Sequence, residues 1–372
     1  MKNQFLIVLL LLNILIVNTS FQTSIFAETN LDNLGKNLLL SPLSIFQVLG
    51  LTTNGALETT QKEMIKTLEA SSLENLNNIN LKLIEIIKQF NTTELANGVM
   101  SVFEPIKSFM KVCDKYEAPV EKLISLKQVN DWCSKKTHGK ITKILDDLSP
   151  TTVMLLLNAV YFKGDWALPF NPSLTYTGLF GDSKSKQIKV EMMTQVNYFN
   201  YYLDRSVEAI ELPYKNDSMS ALIILPYEGA DIEYFVNTLK ISEDYINRII
   251  DGMTKTAVKL SMPKFEVEYS SSLKDVLIRL GMKEAFTPEA DFSGITGGKG
   301  LVIDDVIHKT YLKVDEFGSE AAAVTVVVMK NGTSITIPKV TMNVNRPFVL
   351  ILKSNLLPTN NNFLFIGKIE KI

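Results

Sequence analysis

The sequence predicts a single α+β domain, with helices gathered early and antiparallel strands late. Three observations carry that prediction. Apolar residues recur at helical spacing through the N-terminal half, β-branched and alternating runs dominate the C-terminal half, and no repeat or Pro/Gly/Ser-rich linker divides the 372 residues.

The elements follow in order. Lys2 precedes Phe5–Val17, in which only Asn13 is polar. That pattern fits a secretory signal and is shorter than the roughly 20 residues of a membrane span. It divides the chain into a signal segment, 1–19, and a secreted domain, 20–372, although the small residue Ala27 offers a later cleavage point. Ser41-Pro42 suits a helix start, with proline in the first turn. Thr59–Leu68, Leu81–Phe90 and Leu126–Leu145 carry further helical stripes, the last including its exit. Val153–Phe162 is an apolar run broken only by Asn158 and reads as a central strand buried on both faces, so Asn158 needs hydrogen-bond partners there. Val207–Leu212, Met219–Leu225, Ala257–Glu268 and Leu301–Val314 read as strands, and Asp231–Leu239 and Ser270–Leu280 as helices. Val340–Val344, Phe348–Leu352 and Phe363–Ile369 close the chain as short strands.

Composition excludes several functions. With 46% apolar and 21% charged residues the chain can bury a large core. A net charge of −2, with no run of Lys or Arg longer than two, argues against nucleic-acid and polyanion binding. Two histidines and two cysteines, without CxxC or HExxH, leave no metal site and no disulfide framework, so Cys113 and Cys133 read as free thiols. There is no GxSxG nucleophile elbow, and Gly297–Gly300 lacks phosphate-loop spacing and reads as a surface turn. No cofactor is implied. Gly318–Val328 (GSEAAAVTVVV) reads equally as a short helix or as a segment able to be loop or strand.

Ordered motifs then resolve the family. NLLLSPLS (37–44), VNDWCSKKTHGKI (129–141), LNAVYFKGDWALPF (157–170), the Glu-Leu-Pro-Tyr and Ile-Leu-Pro block within 211–226, Pro-Lys-Phe (263–265), Phe-Ser-Gly (292–294) and the stretch 302–323 resemble the serpins, and the match runs from about Asn37 to Lys368. The resemblance implies three β-sheets, about eight or nine helices and an exposed reactive loop. A target serine protease attacks the loop, forms an acyl-enzyme, and is trapped when the cleaved loop enters a β-sheet. The protein is then no enzyme but a monomeric inhibitor, metastable until cleaved.

Motif matching makes Glu316 the last residue held in the sheet, Gly318 the pivot and Ser319 the first residue to bury on insertion. Ser319, Ala321 and Ala323 alternate with Glu320 and Ala322, so one face of an inserted strand is small and uncharged. That favours an inhibitor over a non-inhibitory carrier, storage or chaperone relative. Inhibition of cysteine proteases by the same mechanism is a further alternative. Ser44, Asn158 and His308 match the family's polar cluster beneath the central strands, and Trp166, Lys264 and Glu316 its cluster at the top of the sheet, with a Lys264–Glu316 pair expected. The bait bond is expected between Met329 and Thr333, a window holding Lys330, Asn331 and Gly332: Lys330 suits a trypsin-like pocket, whereas Gly332 stands sixteen residues beyond Glu316, as the family's usual count requires. Asn18, Asn91, Asn216 and Asn331 begin glycosylation sequons.

Overall fold

The computed structural model describes residues 19–89, 93–181, 187–215, 217–241, 244–319, 337–356 and 363–372. The strands in chain order are β1 (Leu38–Leu40), β2 (Thr93–Ser101), β3 (Val120–Lys122), β4 (Met154–Phe162), β5 (Gly164–Asp165), β6 (Tyr176–Phe180), β7 (Ile188–Leu203), β8 (Val207–Pro213), β9 (Met219–Pro226), β10 (Thr254–Pro263), β11 (Phe265–Ser272), β12 (Ile307–Val314), β13 (Gly318–Ser319), β14 (Val340–Asn343), β15 (Phe348–Ser354) and β16 (Phe363–Ile369). They form two hydrogen-bonded networks. One runs β1-β16-β15-β9-β8-β7-β10-β14, with β6 also on β7; the other runs β3-β2-β4-β12-β13-β5, with β11 also on β12. The sixteen-residue β7 pairs with β6 from Ile188 to Met192, with β10 from Met192 to Tyr201 and with β8 from Asn200 to Leu203, so what would be two sheets share one strand.

Chemistry explains the layering. β9, β15 and β16 are buried along their whole lengths, as near-continuous apolar runs are when both faces are covered. Helix Pro42–Thr53, with every residue buried, packs against both β16 and β4 and joins the two networks. Ser41 stands at its N-cap position without a side-chain capping bond, and Pro42 opens it in the first turn.

Several elements differ from expectation. The Leu81 helix begins eight residues earlier, at Leu73, because the Ser72 hydroxyl accepts from the Asn75 amide and caps a start that holds the weak helix formers Asn75, Asn77, Asn78 and Asn80. The Ala257–Glu268 strand is two strands, β10 and β11, in different networks, divided at Lys264 after Pro263. Leu301–Val306 is irregular, and Ser270–Ser272 extend β11, leaving Lys274–Arg279 as the helix. β2, β7 and the helix Thr19–Leu31 carry no clear sequence period, and the helix Lys107–Lys115 was not expected although Phe109, Val112 and Cys113 stand in it at helical spacing. Cys113 and Cys133 are buried and unbridged, as expected.

Helix Thr19–Leu31 places Phe21, Ile25, Phe26 and Ala27 in the core. Signal cleavage after Ala27 would therefore remove packed residues, whereas a cut near residue 19 would spare them. Ile25→Ala is expected to destabilise the native state by about 2–5 kcal/mol, read from the shift in its denaturant midpoint.

Candidate functional site

The chain after β12 turns sharply back into the sheet. The Asp315 amide donates to the Gly318 carbonyl at 2.9 Å, and the Asp315 carboxylate accepts from the Phe317 amide at 2.9 Å, the short-range bonding by which Asp favours turns. β13 then lies antiparallel to β12 on one side, Val314 opposite Ser319, and antiparallel to β5 on the other, with Gly318 opposite Asp165 and Ser319 opposite Gly164. Gly318 is required by close approach: a Cβ there would meet the Gly164 carbonyl oxygen at 1.9 Å. This corrects the sequence expectation for the hinge. Sheet pairing does not stop at Glu316, and Ser319 does not wait for insertion to become buried. It is 0% exposed here, with its hydroxyl 2.6 Å from that of Tyr214.

The top cluster surrounds this turn. The Trp166 amide donates to the Phe317 carbonyl at 2.8 Å, its indole N–H to the Asp315 carbonyl at 3.0 Å, and its ring stacks on Tyr214 at 4.5 Å. The Phe170 amide donates to the Glu316 carbonyl at 2.8 Å. The buried Glu316 carboxylate accepts from the Thr175 hydroxyl at 2.7 Å and lies 3.4 Å from Lys264 Nζ, which also pairs with Glu191 at 3.3 Å. Burial pushes the Glu316 carboxyl up, but the Thr175 hydrogen bond, a backbone amide and Lys264 outweigh it and hold it below the ordinary range. Trp166, Lys264 and Glu316 thus lie together around this turn. Thr175, Glu191 and Tyr214 join them unpredicted; Tyr214 lies within the Glu-Leu-Pro-Tyr block, the one sequence signal that pointed toward it.

Beneath the centre, the Ser44 hydroxyl donates to Asn158 Oδ1, Asn158 Nδ2 donates to Asn97 Oδ1 at 2.8 Å, and Asn97 Nδ2 to Gln47 Oε1 at 3.3 Å. All four are buried, so the polar group in the apolar strand has the partners it needs. His308 Nε2 accepts from the Ser41 amide at 3.0 Å, and Thr310 donates to the Leu39 carbonyl at 2.8 Å. These bonds tie β12 to the layer below, so His308 secures its strand from underneath rather than across to β4. Among the described residues, the parallel strands β4 and β12 pair at one position, Thr310 opposite Val160. At their N-terminal ends lies a cavity of about 620 Å³, lined in part by Met154, Leu155, Leu157, Ile303, Val306 and Ile307. Met154, Leu155 and Leu156 are accordingly only half-buried, unlike the fully covered strand the sequence suggested.

Glu320, Ala321, Ala322 and Ala323, the bait window Met329, Lys330, Asn331, Gly332 and Thr333, and the sequon residues Asn91 and Asn216 lie outside the described residues.

A single register pair between β4 and β12, a hinge paired at its upper end and a polar cluster under its centre together define the site. A family model described as serpin (serine protease inhibitor) matches residues 17–372, and the chain belongs to that family. It is 33% identical over 361 residues to intracellular coagulation inhibitor 2 of Tachypleus tridentatus, covering 91% of this chain and 87% of the relative. The native structure of the thermophilic serpin tengpin superposes with a TM-score of 0.84 at 30% identity, covering 95% and 93% of the two chains. Thyroxine-binding globulin in complex with thyroxine superposes with a TM-score of 0.82 at 26% identity, covering 95% and 97%. The family is one of inhibitors rather than enzymes.

Burial depresses His308 from its ordinary 6.5 to about 3. Between those values the unfolded chain binds a proton that the folded chain does not. Stability is therefore full above pH 6.5 and falls as pH drops toward 3. Denaturant midpoints measured from pH 7 to pH 4 are expected to fall in the native protein and to fall less steeply in His308→Gln.

Proposed function

We propose that this chain inhibits a serine protease by offering its reactive loop as a substrate and inserting the cleaved loop between β4 and β12. One observation carries the reading: the hinge is unobstructed. Its first residue, Ser319, already occupies the top of the gap, and the next inward positions, Ala321 and Ala323, are small and uncharged. Backbone hydrogen bonds along both open strand edges would drive the rest of the strand inward. Incubation with a panel of serine and cysteine proteases, followed by denaturing gels, tests this. The expected result is a complex that survives denaturation, with the bait bond given by the mass of the released C-terminal peptide and falling within Met329–Thr333. Cleavage by every protease without a stable complex would overturn the reading in favour of a non-inhibitory member, and a complex with cysteine proteases alone would move the target class. Ala321→Arg, which puts a charge on the inward face, is expected to raise the stoichiometry of inhibition more than about tenfold, since burying an unpaired charge costs several kcal/mol.

The same reading takes the protein as a secreted monomer, with glycans at Asn91 and Asn216, supported by the charged and apolar start of the chain and its sequons. N-terminal sequencing of protein recovered from the medium is expected to find a start upstream of Phe21. A start at Glu28, within a buried helix, would count against it.

A further inference from the structure

Tyr214 stands out because three of its sides are fixed and its hydroxyl has one partner. Its ring stacks on Trp166 at 4.5 Å with an interplanar angle of 16°, and meets the edge of Phe162 at 4.9 Å. Gly164 leaves the space for it, since a Cβ there would fall 2.7 Å from Tyr214 Cδ1. Its amide donates to the Met219 carbonyl at 3.0 Å, and it bridges to Trp166. The ring is 0% exposed, and its hydroxyl lies 2.6 Å from the Ser319 hydroxyl, also 0% exposed.

We propose that Tyr214 is a positioning residue that latches the hinge, holding Ser319 in the sheet before any protease arrives. This rests on the inhibitory reading above and adds a determinant of its efficiency. The bond exists only while Ser319 lies between β5 and β12. Withdrawing the hinge would leave the Tyr214 hydroxyl buried without its partner, a costly state for a polar group. The latch therefore biases the hinge inward. Insertion after cleavage then begins from a strand whose first two residues are already placed, and the acyl-enzyme has less time to hydrolyse. The same bias restrains the loop before cleavage.

The test uses the full chain with Tyr214→Phe, which keeps the aromatic packing, Ser319→Ala, and the double variant. Hydrogen exchange is measured over peptides covering 164–166 and 315–319. Tyr214→Phe is expected to speed exchange there about 3- to 10-fold, the range for loss of one neutral hydrogen bond, and to leave β15 and β16 unchanged. In the Ser319→Ala background it should add nothing further. With bovine trypsin as the probe protease, both single variants are expected to be cut faster and to show a higher stoichiometry of inhibition. Unchanged exchange at the hinge would overturn the latch. So would an equal effect of Tyr214→Phe with and without the Ser319 hydroxyl, which would assign the change to packing. Raised exchange with unaltered partitioning would overturn its part in trapping. If trypsin forms no stable complex even with the parent protein, the inhibitory reading loses support, and the exchange cycle still decides whether the latch exists.

Discussion

The incomplete pairing of β4 with β12 is the constraint on which the rest of the structure depends. Two parallel strands in the middle of a sheet would ordinarily share a full ladder, yet here one register pair, Thr310 with Val160, joins them. The unpaired lengths are tolerated because each strand is held from elsewhere. β4 pairs with β2 along nine positions, and β12 with β11 along eight. The Ser44–Asn158–Asn97–Gln47 chain and the His308–Ser41 bond then fix both strands to the helix layer beneath. Backbone pairing in this sheet is therefore concentrated on either side of the β4–β12 line.

The hinge extends the same logic. A two-residue strand contributes little by itself, and β13 persists because its surroundings determine it. The Asp315 turn aims it, Gly318 allows its backbone close to Gly164, and Lys264, Thr175 and the Phe170 amide hold Glu316 at the entrance. Because that carboxylate is held below its ordinary range, acid weakens the entrance as it protonates Glu316, the same direction in which protonation of His308 acts beneath the centre.

Much of this was legible in the sequence, and the failures have physical causes. Asn158 announced itself because one amide inside an apolar run must be satisfied. Trp166, Lys264 and Glu316 were placed by motif, and the structure brings them to one corner. The early burial of Ser319 was not readable. Small residues fit a buried strand and an exposed loop equally well, and the hydroxyl that Ser319 meets on burial, that of Tyr214, is 105 positions away in the chain. β7 was missed for a related reason. Its inward-facing side chains change parity along its length, from Val190 and Met192 to Phe199 and Tyr201, so no single alternation runs through it. The break at Lys264 was hidden because β10 and β11 are both good strand formers and differ only in the network they join.

The two thiols carry a last consequence. Cys113 and Cys133 are buried in separate apolar clusters and pushed up to about 12 by burial. Neither is ionised or reachable while the fold is intact, and neither contributes a crosslink. The fold is therefore held by packing and hydrogen bonds and not by a bond between these two thiols.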